Sequence, residues 1–260
     1  MDVATRNELQ KWIFLSEECS RRSLALFPGY VGPLCNSSMN NFVFRLCLQL
    51  KTPEEVIFKV MEYFDHYMTV ILRPDEKRCA YHHSHLTRNK RKNLLRLIAM
   101  VQIATKITYR HKVLKTREAA SVLGRIGIPV ETKEILQEEL KVLHRLEPIL
   151  NGRTLDDSLE FCIFVMRQKY ARFVIDNKYD WITYVYCAAP YFISQLEKLG
   201  FSFTSKFDLN LLLSFGIIIS VSLLRKREEE VIHAADIVQL LTRWTRPDVL
   251  KVAFVILDSV

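Results

Sequence analysis

Two runs of residues in this 260-residue chain carry side chains suited to chemistry at close spacing. The first is Cys79, His82, His83 and His85, since thiolate and imidazole are good zinc ligands. No second ligand pair stands at a recognisable spacing and the neighbours are charged, so the segment reads as a solvated loop. Neither a metal site nor any other cofactor is expected. The second run is Arg88, Lys90, Arg91 and Lys92. Accessible cations are all that phosphate neutralisation requires, so direct DNA contact is one reading, and a basic linker or nuclear-import signal is the other. Catalytic patterns are missing: there is no G-x-S-x-G, glycine-rich phosphate loop, H-E-x-x-H or paired metal carboxylates. The six cysteines (Cys19, Cys35, Cys47, Cys79, Cys162, Cys187) form no C-x-x-C pair and stand mostly in apolar stretches. They read as reduced, buried thiols of an intracellular protein.

The elements that must carry these groups are helical. Apolar residues make up 49% of the chain against 25% charged, a globular mixture that excludes a chain disordered throughout. Seven glycines and eight prolines are too few for a turn-rich β-sandwich or barrel. Between Arg73 and Lys92, seven basic residues face two acidic ones, which accounts for five of the eight net positive charges. The rest of the body is nearly neutral, unlike a general nucleic-acid-binding surface. The N-terminus has no apolar core fit for a secretory signal.

Apolar residues recur at helical spacing almost everywhere. Asn7 to Phe27 reads as a leading amphipathic helix, which Pro28-Gly29 through Pro33 breaks. Asn40 to Leu50 is a short apolar helix. The next starts at Thr52-Pro53, with Thr52 as the cap and Glu54-Glu55 suiting the positive end of the dipole, and runs towards Pro74. Asn93 to Tyr109 is apolar on nearly every side, as the central post of a bundle would be. Thr116 and Thr132 cap two more helices, the first ending at Gly124 or Gly127 and the second at Leu146, before Pro148 and Asn151-Gly152 mark a boundary.

Five further helices are expected at Leu155–Lys169, Trp181–Leu199, Leu209–Arg225, Glu229–Leu241 and Pro247–Asp258. Leu209 to Leu224 is the greasiest, yet its sixteen residues fall short of the roughly 20 needed to cross a bilayer and include Asn210, Ser214, Ser220 and Ser222. It reads as a buried central helix, and no membrane partner is expected. Asn93-Leu94-Leu95 and Asn210-Leu211-Leu212 open the two central helices. Ala99 and Gly216 stand at equal distances from those openings, where helices can approach closely. The expected architecture is all-α: an N-terminal helical extension over 1–39, then stacked five-helix bundles over 40–150 (with a basic insertion at 73–92) and 151–260.

The first bundle resembles a cyclin box. Tyr63-Phe64-Asp65-His66-Tyr67-Met68 is similar to the Tyr-x-Asp-Arg-Phe-Leu segment of the second cyclin helix. Ala99-Met100-Val101-Gln102-Ile103-Ala104-Thr105-Lys106 resembles the third, with its Ala-x-x-x-Ala-[Ser/Thr]-Lys pattern. Glu139 to Leu146 resembles the fifth. The resemblance implies that Lys106 and Glu139 are the kinase-binding residues, because cyclins carry their polar contact to the kinase at these two positions. Two departures stand out. The stretch Cys35 to Met39 holds no arginine where substrate-docking cyclins have one, so no cell-cycle type of substrate-docking patch is expected. Thr108 and Tyr109 replace the acidic pair usual after the lysine.

A narrower resemblance, carried by Phe42-Val43-Phe44, Leu97 to Arg110, Glu131 to Leu146 and Leu213 to Ile218, is to the meiotic cyclin-like family. Its members are called cyclin N-terminal domain-containing or crossover site-associated proteins. This implies a nuclear protein on meiotic chromosomes that promotes crossover designation. Its implied partners are a cyclin-dependent kinase, the meiotic MutS-type heterodimer and other crossover factors. Two alternatives stay open: a cyclin-fold scaffold for repair proteins that has lost kinase binding, and a nucleic-acid-binding double cyclin fold of the transcription factor B type.

Overall fold

The computed structural model describes residues 37–71, 90–109, 114–125, 127–146, 150, 154–201, 206–242 and 244–259. The expected N-terminal helix, the Cys79–His85 run and Arg88 lie outside the described residues, as does the basic segment up to residue 89. Among the described residues every regular element is a helix, and the fold is all-α.

Helices α1 (Ser37–Gln49), α2 (Glu54–Ile71), α3 (Lys90–Thr108), α4 (Thr116–Arg125) and α5 (Thr132–Leu146) belong to one compact unit, between Pro33 and Leu150. Helices α6 (Leu155–Arg167), α7 (Lys178–Lys198), α8 (Lys206–Leu224), α9 (Glu228–Leu241) and α10 (Arg246–Leu257) belong to a second, which includes Asn151 to Val260.

In the first unit α3 packs on α2 and α5, and α4 packs on α5. Every residue from Leu97 to Thr105 is buried, as the all-round apolar sequence of this stretch demands in water. α2 adds Val56, Ile57, Phe58, Val60, Met61, Tyr63, Phe64 and Tyr67 to the same core. Gln102, a polar residue inside it, donates through Nε2 to Leu114 O (3.3 Å) and Thr116 Oγ1 (3.2 Å), and so pins the start of α4 to α3.

In the second unit α8 is the enclosed helix, buried from Leu209 to Val221 and packed on α6, α9 and α10. Its serines are satisfied internally. Ser214 Oγ donates to Asn210 O (2.7 Å), Ser220 Oγ reaches Gly216 O (2.8 Å) and Ala253 O (3.1 Å), and Ser222 Oγ donates to Glu230 Oε2 (3.1 Å). Gly216 is where α10 comes close: a Cβ there would stand 2.8 Å from Val252 Cγ1 and 2.9 Å from Ile256 Cδ1. Among the described residues no helix is long and apolar enough to cross a membrane.

The starts of α2, α4 and α5 differ from the expected ones by about a residue, for a consistent reason. Pro53, Lys115 and Glu131 supply the first carbonyl acceptors of α2, α4 and α5, so Thr52 precedes the cap while Thr116 and Thr132 occupy the first turn. At α4 and α5 the glutamate three residues on reaches back instead: Lys115 N–H donates to Glu118 Oε2 (3.4 Å) and Glu131 N–H to Glu134 Oε2 (3.0 Å). α6 and α10 carry full capping boxes, Thr154 with Asp157 and Thr245 with Asp248.

Helices α1, α7 and α8 start three residues before the expected Asn40, Trp181 and Leu209. The start of α3 differs as much. It begins at Lys90, not Asn93, so Lys90, Arg91 and Lys92 form its first turn and are not loop. Three cations oppose the positive end of the helix dipole. Glu134 of α5 offsets one of them, accepting from Arg91 Nη2 through both carboxylate oxygens (2.7 and 2.9 Å).

Candidate functional site

Helix α5 is built with two faces. Ile135, Val142 and Leu146 point into the core, and Glu138 and Glu139 occupy the same buried stripe. Carboxylates leave water at a cost unless they are paired, and α3 supplies the partners. Arg96 Nε donates to Glu138 Oε1 (3.2 Å) and Lys106 Nζ to Glu139 Oε1, while Arg91 meets Glu134 nearer the helix starts. Lys141 adds a second cation beside Glu138 at 3.4 Å. Each of these α3 cations is thereby matched to an α5 carboxylate.

The Lys106–Glu139 pair is asymmetric. The Lys106 side chain is 47% exposed, that of Glu139 only 10%. Lys106 is the helix-end lysine its sequence position suggests, whereas Glu139 is not on an exposed face. An ammonium has three donors, and Glu139 engages one, so the lysine head is held at the surface with donors to spare.

Tyr67, from the segment resembling the second cyclin helix, braces the same site. The Arg96 and Arg145 guanidinium groups each lie 5.4 Å from the centroid of its buried ring, and Arg145 Nη1 donates to its hydroxyl (3.2 Å). Arg96 also donates to Asn93 Oδ1 (3.0 Å). One buried aromatic ring thus ties α2 to α3 and α5.

Sequence reasoning missed the apolar half of this face. Leu136, Leu140 and Leu143 follow one another at helical spacing along α5 and are exposed, Leu140 to 60%. Helical geometry sets them immediately beside Glu139, on the side away from the core, and Ile107, next to Lys106, is exposed too. The signal was legible as a second i, i+4, i+7 stripe on a helix whose core stripe was already filled. A half-exposed cation bordered by exposed leucines is an anchor chemistry for a protein partner, with apolar contacts supplying affinity and the polar pair supplying register.

The other candidate residues fare differently. Arg91 is engaged with Glu134, so its guanidinium is not a free phosphate contact. Lys92 is exposed on the first turn of α3, and Lys90 begins that helix. Among the described residues no cluster of three His, Cys, Asp or Glu could hold a metal. Burial pushes the Cys47 thiol up to about 12, and the buried Cys162 and half-buried Cys187 thiols are raised by the same cause. These thiols therefore stay protonated and weakly reactive. Comparison with family models, curated proteins and solved structures returns no match.

Proposed function

We propose that this chain is a cyclin-like regulatory protein of meiotic recombination, its two units being cyclin-type five-helix bundles. In this reading it binds a cyclin-dependent kinase through the α3–α5 face, in the nucleus, at recombination sites chosen to become crossovers. The meiotic MutS-type heterodimer and other crossover factors are its neighbours there. The observation that carries the reading is the position of Lys106 and Glu139. Two residues singled out by their resemblance to cyclin positions, 33 apart in sequence, meet as an ion pair beside an exposed leucine stripe. Glu139 holds the ammonium in place, and the spare Nζ donors bond carbonyl oxygens of a kinase helix that lies along Leu136, Leu140 and Leu143.

A second reading, a kinase-independent scaffold, is favoured by one specific feature. Lys106 and Glu139 already pair with each other, as a purely structural pair would. A pull-down of the full chain with candidate kinases separates the two. Lys106→Ala combined with Glu139→Ala should lose the kinase while its unfolding midpoint stays within a few degrees of wild type. Undiminished kinase retention by that variant would leave the scaffold reading in possession.

A further inference from the structure

A cleft of about 370 Å³ lies in the first unit between the C-terminal end of α1 and helix α4, away from the α3–α5 pairs. Its volume is at the lower end of the range of about 300–1,000 Å³ usual for small-ligand sites. Leu50, Leu114 and Val122 give it apolar walls. Around them stand Lys51 from the end of α1 and Arg117, Ser121 and Arg125 from α4. The last three are spaced i, i+4, i+8 and therefore share one face of the helix.

Its charge is unbalanced. The side chains of Lys51, Arg117 and Arg125 form no ion pair or hydrogen bond with any described residue, whereas Arg91, Arg96 and Lys106 of α3 each have a carboxylate of their own. The cleft's one acid, Glu118, is occupied at the start of α4, where it accepts from Lys115 N–H. Three cations and a hydroxyl drawn from two elements exceed what a single carboxylate can use, but they suit a phosphoryl group. Such a group carries about −1.5 to −2 charge and three strong acceptor oxygens. A duplex is a poorer fit, because its phosphates form a line of single charges over a long surface and here the cations gather at one concavity.

We propose that this cleft is a phosphopeptide site: it takes a phosphorylated serine or threonine of a partner protein, with Arg117, Arg125 and Lys51 on the phosphate and the apolar walls on a flanking side chain. The site uses none of the residues of the proposed kinase-binding face and stands or falls independently of it.

The test is fluorescence anisotropy of the full chain at physiological salt, with a labelled peptide carrying one phosphoserine flanked by leucines. Its unphosphorylated form, inorganic phosphate and a short DNA duplex are the comparison probes. The phosphopeptide should bind saturably and be displaced by inorganic phosphate, and the unphosphorylated form should bind at least about tenfold more weakly. Arg117→Ala with Arg125→Ala should weaken the phosphopeptide about tenfold or more. Lys51→Gly should also weaken it, because glycine accepts that residue's left-handed backbone and only the cation is lost. Glu118→Gln keeps a side-chain acceptor for Lys115 but removes a repelling charge, so affinity should rise about two- to threefold. A variant that merely disturbed the fold would not gain affinity. Equal binding of the two peptides would overturn the proposal, as would unchanged binding in the double arginine variant. Dependence on these arginines seen with duplex or inorganic phosphate but not with the peptide would overturn it too.

Discussion

Lys106 and Glu139 are worth different amounts to the fold, because they are buried to different extents. Removing the lysine leaves a mostly buried carboxylate without its cation, whereas removing the glutamate leaves a half-solvated ammonium that water accommodates. Lys106→Ala should therefore cost about 1 kcal/mol, after discounting for the lysine's exposure, and Glu139→Ala less. Adding Glu139→Ala to Lys106→Ala should restore part of the loss, a coupling that urea unfolding of the four proteins measures. Glu134 makes a pH-dependent contribution. The Glu131 N–H bond and then the Arg91 bonds hold its carboxyl below the ordinary value of 4.5. A carboxyl depressed in the folded state adds stability above its unfolded pKa and loses it as pH falls through the folded value. Glu134→Gln should accordingly lower the neutral plateau slightly, leave stability at low pH little changed, and so flatten the acid limb of the profile below about pH 4.5. At this scale the candidate site was only partly legible in the sequence. Taken singly, a lysine at a helix end and a glutamate on an amphipathic helix carry no message, and only the motif resemblance joined them. The exposed leucines of α5 went unread because a leucine at helical spacing is taken first as core.

Helix ends show where local chemistry decides structure. α1 and α8 both terminate with a lysine in the left-handed region, Lys51 at φ 54° and Lys226 at φ 57°. In each case the next residue's N–H closes the motif: Thr52 N to Cys47 O at 3.0 Å, and Arg227 N to Ser222 O at 2.9 Å. A side chain there costs about 1–2 kcal/mol, and glycine at the same place costs only extra unfolded-state entropy. Lys51→Gly and Lys226→Gly should each raise stability by about 0.5 kcal/mol, visible as a higher thermal midpoint. Gly216 behaves in the opposite sense. Alanine would gain up to about 1 kcal/mol of helix propensity, but its methyl would meet the stiff, branched Val252. Gly216→Ala should lower stability by about 1 kcal/mol net, and Gly216→Val by more. Helix existence was legible from apolar period alone, and α5 and α9 begin or end within a residue of expectation. The caps were not, because a threonine suits the cap and the first turn alike, and at α4 and α5 it is the glutamate's reach back to the N–H of Lys115 or Glu131 that marks the start. The basic first turn of α3 was taken for loop because three cations oppose the dipole. The compensating Glu134 sits 43 residues away in sequence, beyond any local reading.

At the scale of the molecule, the all-α class followed from pervasive helical spacing and scarce glycine and proline, and the structure bears it out. Two helices that are apolar all round, α3 and α8, are the enclosed ones of their units, since only burial satisfies such a surface in water. What composition could not reveal is which outer face stays open for a partner, because that depends on which residues the neighbouring helices leave uncovered. The central claim is that the α3–α5 face of the first unit binds a cyclin-dependent kinase. Its most direct test is the dissociation constant of the full chain for purified kinases, measured for wild type and for Leu140→Glu. Leu140 is 60% exposed, so the substitution should leave the thermal midpoint unchanged. At the centre of an interface it should weaken binding by about 2 kcal/mol or more, roughly thirtyfold. A kinase bound saturably by wild type and at least thirtyfold more weakly by Leu140→Glu is the predicted result. Equal affinity for both proteins, or no measurable kinase binding by the wild-type chain, would contradict it.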